Sequence, residues 1–451
     1  MAALKILVLL FGDVAALYVS LAGALLIRYG GGFSRELAEH HLAPFSVIFA
    51  VWLLLFYAAG LYDIRKLRNG LEFLKTLLLA LAANALVTIM LFYLIPFFGI
   101  APKTNFFIFL GFFAVLEVLW RRTWNARAAN GTTPHKLLLI GEGASAGELR
   151  TLIAESPQLG YELKAWIAPS SPASRELHNL RALVAHHSAN VIVIDRRLKQ
   201  LPSLSRELYR LLQEGVEVQD LSVLYELLFK KIPVEEIEES WVLDNVNARP
   251  RFYDSLKRAA ELLIALALGI VLLPLELLIA VLVFLTSPTG PAVCSQTRVG
   301  CRGKLYTHYK FRTMRTCHEK EQHGPQWKMV REGRIADPRL TPFGQLLVHT
   351  HLDELPQLIN IMKGEMSFVG PRPERPQFVE LLTEKLPYYE VRHVVKPGVT
   401  GWAQVNYRYA ASVEDTQEKL RYDLYYVKNR SPILDLAIIL KTLKTVFVTP
   451  K

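Results

Sequence analysis

Cysteine is nearly absent from this chain: there are three in 451 residues, Cys294, Cys301 and Cys317, without CxxC spacing or a matching histidine pattern. Neither a zinc site nor a disulfide framework is expected, and the three read as small reduced side chains. A basic repeat interleaved with aromatics is also missing, so the excess of 52 Lys and Arg over 41 Asp and Glu does not indicate nucleic acid. The net charge of +11 suits anionic lipid headgroups and phosphate-bearing substrates instead. No cleavable signal is expected, because the apolar run Leu4–Ile27 is too long and lacks a small-residue site after a short core.

Apolar length is what the chain has in plenty. Hydrophobic residues make up 51% and mean hydropathy is positive, which marks an integral membrane protein of about three domains. Four hydrophobic segments come first: Ile6–Ile27, Pro44–Leu61, Phe73–Ile95 and the shorter Phe106–Trp120. Each approaches the ~20 residues that cross a hydrocarbon core. Basic residues follow the second (Arg65, Lys66, Arg68) and the fourth (Arg121, Arg122, Arg127), which places both sites and the N-terminus in the cytoplasm. Asp13 and Glu117 lie within these segments, where acids are costly; they are read as bonding to neighbouring helices or sitting near an interface, with a functional role as the alternative.

From His135 to Asn247 the pattern turns soluble. His135–Gly141, Leu163–Ile167, Val191–Asp195 and Val216–Leu221 read as strands alternating with helices, which predicts a parallel sheet. The Gly141–Gly147 turn approximates a dinucleotide fingerprint, but the second strand ends in Ala168-Pro169 with no acid for a ribose hydroxyl. A regulatory or scaffolding role is favoured over a bound nicotinamide, and no cofactor-binding residue is assigned. Leu224–Ile237 leads back toward the membrane, with Trp241 read as an anchor at its surface.

Leu262–Leu285 is apolar enough to cross a bilayer, yet Lys257 and Arg258 precede it and Arg298, Arg302 and Lys304 follow it, so a crossing would put basic residues on both faces. Pro274 removes a backbone donor near its middle, and Glu276 is expensive at the bilayer centre. A re-entrant element over about residues 257–286, bending at Leu273-Pro274 and returning to the same side, resolves these conflicts.

The chemistry concentrates in His351–Glu374, HLDELPQLINIMKGEMSFVGPRPE. Pro356 suits a first helical turn and puts Asp353 near an N-cap, while Leu355, Leu358, Ile359 and Met362 keep helical spacing up to a Lys363-Gly364 stop. Two readings of Asp353 stand: a helix cap, or a carboxylate kept ionised by the helix dipole and able to attack phosphorus. After Gly303, Tyr306, His308, Lys310 and Arg312 alternate with Leu305, Thr307, Tyr309 and Phe311, giving one basic strand face that could grip a diphosphate or merely be solvated. Arg372 is held extended between Pro371 and Pro373, ready for phosphate oxygens, with Glu374 placed to orient it or assist a metal.

The stretch LDELPQLINIMKGEMSFVGPRPE resembles the signature of the bacterial sugar transferases, the monotopic phosphoglycosyltransferases. Three further runs match that family in order: Gln296–Met314 (QTRVGCRGKLYTHYKFRTM), Asp337–Gly344 (DPRLTPFG) and Lys396–Tyr409 (KPGVTGWAQVNYRY). The resemblance covers roughly Arg251 to the C-terminus, and the N-terminal part is similar to the large members. It implies a membrane protein of α plus α/β class: a four-helix transmembrane bundle (1–125), a Rossmann-like domain (126–250) and a C-terminal α/β catalytic domain (251–451) with a re-entrant membrane helix kinked at Pro274. It implies transfer of hexose-1-phosphate from a UDP-sugar to undecaprenyl phosphate through an aspartyl phosphosugar, releasing UMP, as the first membrane step of exopolysaccharide, capsule or O-antigen synthesis. Asp353 and Glu354 are then catalytic and bind Mg2+ (or Mn2+), and Lys310, Arg312, Arg339, Arg372, Glu374 and Gln404 bind substrate. A bacterial inner membrane location with the catalytic domain on the cytoplasmic face, membrane-lipid contacts and a homodimer are expected, and no nucleic acid.

Two positions depart from the family pattern: Val348 stands where relatives carry an arginine and His351 where they carry a serine, so a phosphate contact is lost or passes to His349 or His351. Trp402 is read as core slightly ahead of stacking on a base, and Pro432–Phe447 as an interfacial helix with Lys441 and Lys444 opposed to Ile433, Ala437, Leu440 and Phe447. The rivals to transfer are a nucleotide-sugar redox or epimerising enzyme built on the Gly141 turn, and a non-catalytic membrane scaffold.

Overall fold

A computed structural model describes residues 2–30, 34–63, 69–94, 104–130, 134–170, 179–246, 252–288, 290–315, 339–407 and 412–448. Cys317, the start of the 337–344 run, Tyr409, the side chains of Lys444 and Phe447, and Lys451 lie outside them. The chain forms two compact units, Met1–Leu221 and Ser222–Lys451.

The first unit opens with four helices, α1 (Ala2–Tyr29), α2 (Arg35–Ala59), α3 (Leu71–Leu94) and α4 (Thr104–Asn130), each long and apolar enough to cross a membrane. They share one core, in which Trp52 and Phe56 of α2 meet Phe109 and Phe113 of α4. The acids in these segments do bond to their neighbours. Arg121 donates to Glu117 at 2.8 Å and to Asp13, which also accepts from Tyr62 (2.6 Å) and Trp120 (3.0 Å). Arg121 is fully buried by these contacts, so of the basic residues after the fourth segment Arg122 and Arg127 are the exposed ones. A buried guanidinium needs such partners, because an unpaired one costs several kcal/mol. Arg65, Lys66 and Arg68 lie outside the described residues.

The rest of this unit alternates β1 (His135–Ile140), α5 (Ala144–Glu155), β2 (Tyr161–Ile167), α6 (Leu180–His187), β3 (Val191–Ile194), α7 (Arg196–Lys199), α8 (Pro202–Gln213) and β4 (Glu217–Asp220). The strands pair in parallel in the order β2-β1-β3-β4. Leu137–Ile140 and Val191–Ile194 are buried at every position, so both faces of the sheet centre are covered and the strands read as unbroken apolar runs.

The second unit comprises α9 (Leu221–Phe229), α10 (Glu239–Asn245), α11 (Phe252–Thr286), the antiparallel hairpin β5 (Val293–Val299) and β6 (Leu305–Phe311), α12 (Pro342–Thr350), α13 (Gln357–Lys363), β7 (Ser367–Val369), α14 (Pro376–Lys385), β8 (Gly398–Thr400) parallel to β7, α15 (Trp402–Asn406), α16 (Val413–Asn429) and α17 (Pro432–Val448). The sequence reading ends the middle domain near residue 250, whereas the structure groups Ser222 onward with the C-terminal elements. Burial is the reason: Ile232, Val234, Ile237 and Trp241 enter one core with Leu382, Leu386, Leu420 and Leu424. Glu226 pairs with Lys428 and Glu235 with Arg421, both at 2.6 Å. Trp241 is therefore a core residue, 7% exposed, and not a membrane anchor.

α11 is a single helix of 35 residues that continues through Pro274. Its buried positions, Glu261, Ala265, Ile279 and Val283, follow helical spacing. Ala265 packs with Leu358 and Ile361 of α13, while Ile279 and Val283 pack with Phe311 and Leu347. The other side, including Leu263, Val271, Leu277 and Leu285, is exposed and apolar. Lys441 of α17 lies over the Trp402 ring at 4.2 Å and donates to Asn406 (3.1 Å). Cys301 is a free thiol.

Candidate active site

α12 ends at His351, a non-glycine residue in the left-handed region (φ 59°), and the chain then makes one 3₁₀ turn, Leu352–Glu354. Leu352 and Leu355 pin this turn to the core around Ile279 and Phe311. The N-cap of α13 is Pro356, so Asp353 precedes the helix by a turn and does not cap it. Its cationic neighbour is Lys310 of β6, with Nζ 3.6 Å from Oδ2. Glu354 is gripped twice, by Lys310 Nζ at 2.9 Å and Arg372 Nη2 at 3.2 Å. Asp353 is buried and Glu354 half-buried, whereas Arg372 keeps 47% of its side chain exposed, so the cleft opens on the arginine's side.

Burial raises the Asp353 carboxyl above its ordinary pKa, Lys310 opposes this, and Glu354 pushes it further up. Glu354 meets the same burial, but Arg372 and Lys310 outweigh it and hold the group well below the usual range. The adjacent acids thus titrate as a pair with separated roles: a firmly ionised anchor at 354 and a less encumbered carboxylate at 353. His308, two positions before Lys310 on the same strand face, is nearly enclosed; burial, then Lys310 and Arg298, push its pKa down to about 3, so the ring is neutral.

The arginine turn has a rigid backing. Gly370 N donates to Thr400 O and Gly398 N to Pro371 O, both at 2.9 Å, and a Cβ on Gly398 would collide with the Gly370 backbone. Glycine is required there for close approach. Arg392 donates to Arg372 O (2.8 Å) and is itself held by Asp423 (2.8 Å) and Tyr389 (2.8 Å). The KPGVTGW run thus braces the Pro371–Pro373 turn. Trp402 is core, 4% exposed, donating to Lys230 O at 2.9 Å.

Of the expected site residues, Asp353, Glu354, Lys310 and Arg372 come together, with Glu374 close behind: Arg298 Nη1 lies 3.7 Å from its Oε2. Arg312 goes elsewhere. β6 ends at Phe311, and the Arg312 side chain is buried against Ser287 O in the loop after α11. Arg339 sits beside the Met314–Leu340 bridge, its carbonyl accepting from Arg315 N at 3.1 Å. Gln404 donates to Val399 O (3.1 Å) on β8. Pro274 lies on the exposed side of α11. Val348 is half-buried and His349 exposed, while the His351 charge acts on both carboxylates.

Among the described residues no three His, Cys, Asp or Glu side chains converge as a metal site. Asp353 and Glu354 suit a hard cation only with phosphate oxygens completing its shell, which is how Mg2+ is usually bound.

A model of the family described as bacterial sugar transferase matches residues 252–449. An uncharacterized sugar transferase, EpsL of Bacillus subtilis, is 43% identical over 161 residues, covering 36% of this chain and 72% of that protein. The chain belongs to the bacterial sugar transferase family. The UDP-N-acetylgalactosamine-undecaprenyl-phosphate N-acetylgalactosaminephosphotransferase of Aeromonas hydrophila is 38% identical over 231 residues, 51% of this chain and 52% of that one. The UDP-glucose:undecaprenyl-phosphate glucose-1-phosphate transferase of Klebsiella pneumoniae is 27% identical over 445 residues, 94% and 93% of the two. The chain thus spans about half the length of the Aeromonas relative (52%) and nearly all of the Klebsiella one. Within this bacterial sugar transferase, reading the sequence missed Arg392 and Asp423, which hold the arginine turn from elements far along the chain.

Proposed function

We propose that the chain transfers hexose-1-phosphate from a UDP-sugar to undecaprenyl phosphate, initiating a membrane-bound glycan such as an exopolysaccharide, capsule or O-antigen. The observation that carries this reading is Asp353, a buried carboxylate that caps no helix and adjoins Lys310, beside a Glu354 locked by Lys310 and Arg372. Lys310 and Arg372 attract and orient the donor's phosphate oxygens. An Asp353 oxygen attacks the phosphorus that bears the sugar, the bond from that phosphorus to the bridging oxygen breaks, and UMP leaves with the electron pair. An undecaprenyl phosphate oxygen then attacks the same phosphorus. The phosphorus–Asp353 bond breaks, regenerating the carboxylate and leaving a polyprenyl diphosphosugar. Mg2+ (or Mn2+), held by Asp353, Glu354 and the diphosphate, would neutralise charge on the approaching anions.

The four N-terminal helices are read as a transmembrane bundle in a bacterial inner membrane, with the catalytic unit on the cytoplasmic face. α11 is read as re-entrant. Both its halves pack on one unit, through Ala265 and through Val283, which supports a return to one side over a crossing. Its exposed apolar side would then meet the polyprenyl chain and lipid tails.

Asp353→Asn tests the core of this proposal: release of UMP from a UDP-sugar by the purified full chain is expected to vanish while melting and detergent behaviour are unchanged. Undiminished release by that variant would falsify the nucleophile assignment.

A further inference from the structure

Charge is unevenly matched along the cleft. At its mouth two carboxylates, Asp353 and Glu354, meet two cations, Lys310 and Arg372. Beyond the Pro371–Pro373 turn the balance changes. Glu374 faces Arg298 at 3.7 Å, and Arg298 also donates to Pro373 O at 3.1 Å. Its Nε is buried without a partner among the described residues. On α16, Lys419 lies one turn before Asp423 on the same face. Asp423 is occupied by Arg392 (2.8 Å), which in turn holds Arg372 O (2.8 Å), so this face of α16 looks onto the arginine turn. Lys419 is half-buried there, with no hydrogen bond or ion pair among the described residues.

Arg298 therefore has Glu374 as its carboxylate, and the Lys419 ammonium feels the same Glu374 together with an Asp423 already taken by Arg392. Burial lowers Arg298 to about 10 and lowers Lys419 as well, with Glu374 opposing in both cases. Arg372 and Glu374 are two residues apart, at most about 7 Å along an extended chain, so one diphosphate ester can reach both places. In an in-line displacement the leaving oxygen lies opposite the nucleophile across the attacked phosphorus. With that phosphorus held by Lys310 and Arg372, the further cations beside the arginine turn are Arg298 and Lys419, both close enough to feel Arg372 and Glu374.

We propose that Arg298 and Lys419 form an anion subsite for the phosphate of the leaving nucleoside monophosphate. The identity of the anion rests on the transfer reading above; the excess of cations does not. The test is calorimetric titration of the detergent-solubilised full chain with UMP, comparing wild type, Lys419→Met and Lys419→Arg at matched melting temperature. Removing one charge-assisted contact is expected to weaken UMP about tenfold, with arginine restoring most of the affinity. Donor KM and the UMP inhibition constant should rise together, and Lys419→Arg should restore both. Wild-type UMP affinity in Lys419→Met, or no UMP binding by the wild type, overturns the subsite. A wild type that binds UMP but releases none from any UDP-sugar overturns the transfer reading alone, and the variants still decide the subsite.

Discussion

Adjacent side chains in the cleft are driven to different roles by what surrounds them. Glu354 and Asp353 share a turn, yet two cations grip the first and one lysine, at 3.6 Å, faces the second. His308 shows the same dependence on environment, and it yields a pH prediction. Its folded pKa, about 3, lies below the ordinary value of about 6.5, so the unfolded chain binds the extra proton as pH falls. This site's contribution is intact above about pH 6.5 and shrinks below it, by about 1 kcal/mol between about pH 6.5 and about pH 5.5. The melting temperature of the solubilised chain is expected to drop over that interval, and less steeply in His308→Gln. Identical slopes would mean the folded ring accepts a proton.

At the scale of elements, the segment from α9 to α10 belongs with the catalytic elements because its apolar side chains have their partners there. Trp241 fills a core formed with Leu382, Leu386 and Leu424, and Lys428 lies over its ring at 5.4 Å. Trp241→Ala is expected to destabilise by about 3–5 kcal/mol, the usual cost of emptying an aromatic site. Differential scanning of the purified chain should show that loss with membrane association unchanged. A variant that melts like wild type but leaves the membrane fraction would restore the anchor reading. The β7–β8 pair has a similar supporting role: its glycines let two backbones touch, and that contact fixes where Arg372 projects.

For the whole molecule, the open question of topology is physical. A straight helix of 35 residues measures ~52 Å, longer than a ~30 Å hydrocarbon core, yet both its halves rest on the same folded unit. A tag placed after Lys451 is expected to be shielded from protease in intact spheroplasts and cleaved once they are opened. Cleavage from outside intact cells would rule out the re-entrant reading and place the cleft away from cytoplasmic nucleotides.

Local pattern alone determined much of this protein. Apolar run length marked the five long membrane-competent helices, alternation of apolar runs with helical spacing gave the parallel sheet, and the run from Leu352 to Glu374 located the acids and their arginine. Those features depend on near neighbours in the chain, so periodicity and proline or glycine chemistry reveal them. Tertiary structure decided the rest. Arg312 looked equivalent to Lys310 until the strand ended one residue short of it; Trp241 looked amphipathic and exposed until distant leucines covered it. The brace from Asp423 through Arg392 to Arg372 joins residues far apart in sequence, and no local spacing encodes such a contact because only the packed core brings those backbones together.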